Sequence, residues 1–94
     1  VFDVKAEAYM QPFFSRNSGT ALRSFTQAVN DEGNEFNRHS EDYSLWRVGD
    51  FEERTGKIGS CVPVQVAGAH ELVDRTSQLA DHMKKVVTPI QGGE

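Results

Sequence analysis

The sequence predicts a small α+β domain: an antiparallel-containing β-sheet with two helices, in the order β-α-β-β-α. Three observations predict it. "SRNSGTALRSFTQAVND" places apolar residues at helical spacing behind a polar start. "YSLWRVGDFEER" and "KIGSCVPVQVAG" are runs of ring and β-branched residues joined through "ERTGK". "HELVDRTSQLADHMKKVV" then returns to helical spacing.

The first element is "VFDVKA", residues 1–6, which alternates apolar and polar as a short strand does. It opens in mid-pattern, so preceding residues are expected. "EAYMQPFF" follows. Pro12 pushes Gln11 toward extended backbone, so this stretch is a connector or a strand extension, with Phe13 and Phe14 expected to pin the next helix to the sheet. That helix has Ser18 or Thr20 as its cap. Ala21, Leu22, Phe25, Ala28 and Val29 form its apolar face. Gly33 in "NDEGN" is the expected stop. "EFNRHSEDY" reads as a loop or as one or two helical turns with Phe36 turned inward.

In the next strand Tyr43, Leu45 and Arg47 share one face, and Trp46 and Val48 share the other. Gly56 supplies the permissive backbone of the turn. Pro63 cannot donate to a ladder, so its strand is an edge or carries a bulge there. The last helix has a stripe of Leu72, Thr76, Leu79, Met83 and Val86. Pro89 and Gly92-Gly93 end it, giving a single domain over 1–88 and a flexible tail over 89–94.

Ninety-four residues make one small domain with a modest core. No apolar run approaches the ~20 residues that a membrane helix needs, and no signal-peptide pattern is visible. One cysteine, Cys61, forms no internal disulfide. Its neighbours in "SCVPV" make it a small buried hydrophobe, and a reducing cytoplasm is the natural setting. The net charge of −4 is the wrong sign for strong nonspecific binding of nucleic acid. Any such binding needs a local basic patch and ring stacking.

Catalytic patterns are missing. His70 and His82 sit on one predicted helix about 120° apart, His39 is isolated, and no Cys or His pair has zinc spacing. No metal or cofactor is expected. Glu41-Asp42 and Glu52-Glu53 are neighbours that face opposite ways on a strand, so neither is a catalytic acid pair. No nucleophile elbow or dinucleotide fingerprint occurs. The chain is not expected to be an enzyme. "SRNSGT" reads as an ordinary polar cap or as a phosphate contact at a helix start.

Two features remain. Tyr9, Phe13, Phe14, Tyr43, Trp46 and Phe51 are either core or rings on which bases stack. Tyr9 and Trp46 are the rings expected to stay partly outside, and Arg16, Arg23, Arg38, Arg47 and Arg54 are the candidate phosphate partners. The stripe of the last helix packs on its own sheet or on a second copy. In the second case Leu72, Leu79, Met83 and Val86 form the interface of a dimer, with a gain in avidity.

"VFDVKAEAYMQPFF", "GTALRSFTQAVND" and "FNRHSEDYSLWRVGDFEERTG" resemble, in that order, the small non-structural protein of gokushoviruses, single-stranded DNA phages of the Microviridae. The resemblance covers roughly residues 1–72. Ser40 departs from it, standing where the family pattern has a proline. The resemblance implies a non-structural accessory protein that binds single-stranded DNA during genome replication or packaging in the host bacterial cytoplasm. It carries over no functional residue. The alternative is an adaptor that contacts viral replication or procapsid proteins, or a host factor, and touches no DNA. A weaker third reading is an inhibitor of a host enzyme by mimicry of acidic nucleic acid.

Overall fold

Residues 1–9 do not form the six-residue strand expected of "VFDVKA"; they turn back on themselves. In the computed structural model, which describes residues 1–74, β1 (Phe2–Asp3) pairs antiparallel with β2 (Ala8–Tyr9), Phe2 opposite Tyr9. Asp3 drives the reversal. Its Oδ1 accepts from the N–H groups of Lys5 at 3.0 Å and Ala6 at 3.3 Å, the local bonding that makes Asp a turn former. Glu7 completes the turn in the left-handed region, φ 54°.

After a connector through Pro12 comes α1 (Ser18–Val29). Its cap is Asn17, not Ser18 or Thr20: Asn17 has extended backbone, and its Oδ1 accepts from Thr20 N–H at 2.8 Å. Ser18 and Thr20 already lie inside the first turn, so they cannot fill that role. The stop is also carried by asparagine. Asn30 Nδ2 donates to Thr26 O at 2.9 Å, and Asn37 Nδ2 donates to Val29 O at 2.8 Å. Both satisfy carbonyls that a helix end leaves orphaned. Gly33, the expected breaker, lies three residues past the cap in a turn and outside the left-handed region. Asn34 caps the short α2 (Glu35–Arg38), accepting from Phe36 N–H at 2.9 Å. All four asparagines of the chain thus serve helix ends.

A 3₁₀ turn at Ser40–Asp42 feeds β3 (Tyr43–Phe51), which pairs antiparallel with β1 and with β4 (Ile58–Gly68). The strand order is β2-β1-β3-β4. Gly56 closes the hairpin loop at φ 73°, as its sequence context predicts. Pro63 satisfies both of its expectations. β4 is an edge, and the register shifts between Arg47 and Gly49 place extra residues opposite β3 around Pro63. The fold class is α+β, as the sequence predicts, with β2 as the strand that local patterning missed.

α3 (Ala69–Leu72) begins where the last helix is expected. Val73 leaves it with ψ 126°, so one helix does not run unbroken from His70. The rest of that predicted helix, with Leu79, Met83, Val86 and the boundary at 88, lies outside the described residues.

The core sits at the base of the hairpin. Phe25, Val29, Leu45 and Ala69 are buried together, with Ala21, Leu22, Phe36 and Leu72 packed around them. Phe36 bridges the rings of Phe25 and Tyr43, at centroid distances of 5.5 and 4.7 Å, favourable tilted geometry. Phe13 and Phe14 are absent from this core. They are 48% and 68% exposed and do not pin the helix. Cys61 is half-buried, not buried, because its part of β4 extends past the core.

Candidate functional site

The connector from Met10 to Asn17 runs beside the hairpin, and the two enclose an open groove of about 1090 Å³. Its position follows from strand lengths. β1 covers only Tyr43 and Ser44 of β3, so the rest of that side of β3 has no strand partner. The connector stands there instead, kept extended before Pro12.

Tyr9, Trp46, Arg16 and Arg47 all line this groove, with Phe13, Phe14 and Phe51. At one end Tyr9 meets Phe2 edge-on at 4.9 Å and Trp46 at 6.1 Å, with planes 89° apart. Trp46 Nε1 donates to Ser44 Oγ at 2.8 Å, which fixes the indole. Tyr9 is 46% exposed, so a face of this ring cluster is open. At the other end Phe14 and Phe51 lie 5.3 Å apart, tilted by 52°. The groove therefore offers two ring clusters separated by the middle of β3.

Its electrostatics are mixed. Arg16 and Arg47 are matched in the lining by Asp50 and Glu53. Arg47 Nη2 holds Asp50 Oδ1 at 2.5 Å, an exposed pair. The hydrogen bond to that carboxylate, then its charge, raises the guanidinium pKa, so Arg47 stays a cation. On the other side of β3 Cys61 Sγ lies 3.8 Å from Arg47 O.

Of the seven residues picked from the sequence as nucleic-acid contacts, the fold brings four together. Arg23 on α1, Arg38 at the end of α2 and Arg54 in the hairpin loop are exposed but lie outside the groove. Leu72 packs against its own core, and its carbonyl accepts from Asn30 Nδ2 at 3.0 Å. Phe13, Phe14 and Phe51, which the sequence leaves open between core and stacking rings, also line the groove. Their type marks them as rings, but only the path of the connector sets them side by side. Among the described residues no group of His, Cys, Asp and Glu could hold a metal ion, and no helix is long and apolar enough to cross a membrane.

A family model described as phage ORF5 protein matches residues 1–72, which include every element of the groove. The chain belongs to the phage ORF5 protein family. No curated protein and no solved structure matches it. The part that defines the ORF5 family in this chain is therefore the sheet, the asparagine-capped helices and the connector, ending with α3 at Leu72.

Proposed function

We propose that this phage ORF5 protein, of gokushovirus type, binds single-stranded DNA without catalysis, during genome replication or packaging in the bacterial cytoplasm. The observation that carries this reading is the convergence of Tyr9, Trp46, Arg16 and Arg47 on one open groove with three phenylalanines. Base faces stack on aromatic rings regardless of sequence, at about 1–3 kcal/mol per base. The two arginines then supply phosphate contacts. With about two such contacts, the logarithmic salt slope is about −1.4. Stacking, not charge, carries the affinity, which suits a chain of net charge −4.

A second reading rests on a different observation. Asp50 pairs with Arg47, and Arg23, Arg38 and Arg54 are not among the residues that line the groove. A mixed-charge, ring-lined groove of this kind also fits a segment of a viral or host protein, as an adaptor would require. Fluorescence anisotropy with a labelled oligonucleotide separates the two. Binding at ~20 mM salt with a shallow salt slope, weakened by Trp46→Ala, supports the DNA reading. No binding at that salt overturns it in favour of the adaptor.

A further inference from the structure

The ring contacts of the groove are spaced alike on both of its walls. Tyr9 meets Trp46, and Phe14 meets Phe51. Tyr9 and Phe14 stand five positions apart on the connector, and Trp46 and Phe51 stand five positions apart on β3. The connector and β3 therefore advance side by side in the same direction, with one ring pair at each end. Five residues of strand span about 17 Å. Every residue of β3 from Leu45 to Phe51 lines the groove, so the track between the two pairs is continuous. Each pair also has an arginine close to it in sequence. Arg47 follows Trp46, Arg16 stands two positions after Phe14, and both line the groove.

Given the DNA reading above, on which this rests, we infer that the groove holds two base-stacking subsites, one on each ring pair, bridged by one strand of no more than about six nucleotides. The repeated unit selects the ligand. Two rings beside a cation suit a flat base beside its phosphate, and a nucleic-acid strand repeats that unit. Tyr9, Phe14 and Phe51 are all about half exposed or more, so each pair keeps ring surface for a base. The length follows from the spacing. A stacked strand rises about 3.4 Å per nucleotide, its shortest spacing, so ~17 Å takes at most about five steps. A dinucleotide has a single step and can occupy only one pair at a time. The two ends differ in charge. Asp50 and Glu53 flank Phe51 in sequence and line the groove with it, so the Phe14–Phe51 end holds its base by stacking more than by charge.

Trp46 is the single tryptophan of the chain and stands at one subsite, so its fluorescence reports occupancy there without a label. The test titrates the full chain with oligothymidylates of about two, six and twelve nucleotides at ~20 mM salt. Phe14→Ala removes a ring of the far subsite that is 68% exposed and outside the core. It should weaken the dinucleotide less than about twofold and the hexanucleotide at least about fivefold, with no larger loss for twelve. Phe51→Ala should repeat the pattern. Far-ultraviolet circular dichroism should match the wild type. If both variants unfold, Phe14→Leu, which keeps the apolar bulk without the ring, decides on the same criterion. An equal loss at every length, no loss at any, or a loss that appears only at twelve overturns the two-subsite inference and leaves the DNA reading standing. So does binding seen by anisotropy without quenching of Trp46. No binding by either readout overturns the DNA reading, and the two subsites with it.

Discussion

Asn30 and Asp74, 44 positions apart, are joined by a hydrogen bond in which Asp74 N–H donates to Asn30 Oδ1 at 2.7 Å. The same side chain donates through Nδ2 to Leu72 O and Thr26 O. One amide therefore ties the end of α1 to the chain leaving α3. Replacing Asn30 by Ala removes three side-chain hydrogen bonds at once and should cost about 1–3 kcal/mol. Asn30→Asp keeps the acceptor for Asp74 N–H but sets a carboxylate oxygen against the carbonyls of Thr26 and Leu72, so it should destabilise at least as much as Asn30→Ala. Urea unfolding of the two variants measures the difference.

Gly49 and Gly59 lie in adjacent strands and are not interchangeable. A Cβ on Gly49 would run into the carbonyl oxygen of Gly59, a backbone atom that cannot swing aside. A Cβ on Gly59 meets nothing within 4 Å. Gly49→Ala should therefore destabilise by about 1–3 kcal/mol through forced separation of β3 and β4. Gly59→Ala should be neutral or stabilising by up to ~1 kcal/mol, because a strand glycine carries an entropic cost. Thermal melts of the two variants should move in clearly different ways.

Tyr43 makes stability fall in alkaline solution. Its hydroxyl donates to Glu35 Oε2 at 3.3 Å. Burial first, then the carboxylates of Asp3, Glu35 and Asp42, raise its pKa above the ordinary 10.0. A raised phenol favours the fold in its protonated form. The contribution is complete below pH 10.0 and is lost as pH rises through the higher folded value. Tyr43→Phe should lose less stability than the wild type over that alkaline window, with denaturant midpoints as the readout.

Asp50 competes with phosphate for Arg47, since the two already form an ion pair. Under the DNA reading, Asp50→Asn should raise oligonucleotide affinity at low salt about threefold or more and steepen the salt slope by up to about 0.7. An unchanged slope with unchanged affinity would show that Arg47 makes no phosphate contact.

Much of this protein is legible in single residues. Pro63 announces an irregular edge strand, Gly56 a left-handed turn, and the alternation from Tyr43 to Val48 the two faces of β3. Tyr9 and Trp46 are picked out as partly open rings on type and context alone. The misses share one cause. "VFDVKA" looks like a strand, but the Asp3 side chain bonds the next backbone amides and turns the chain, which alternation does not register. Phe13 and Phe14 look like anchors because rings usually are, yet the core lies beyond their reach.

Hydrophobic period and turn chemistry act over a few residues, so the α+β class, the hairpin and the helix around Phe25 are legible from the order of the amino acids. Which side chains meet is set by how the elements pack. The Asn30–Asp74 bond, the pairing of Phe14 with Phe51 and the choice of Arg16 and Arg47 over Arg23, Arg38 and Arg54 all depend on the path of the connector beside β3. That path follows from β1 covering just two residues of β3, a length that no local pattern encodes.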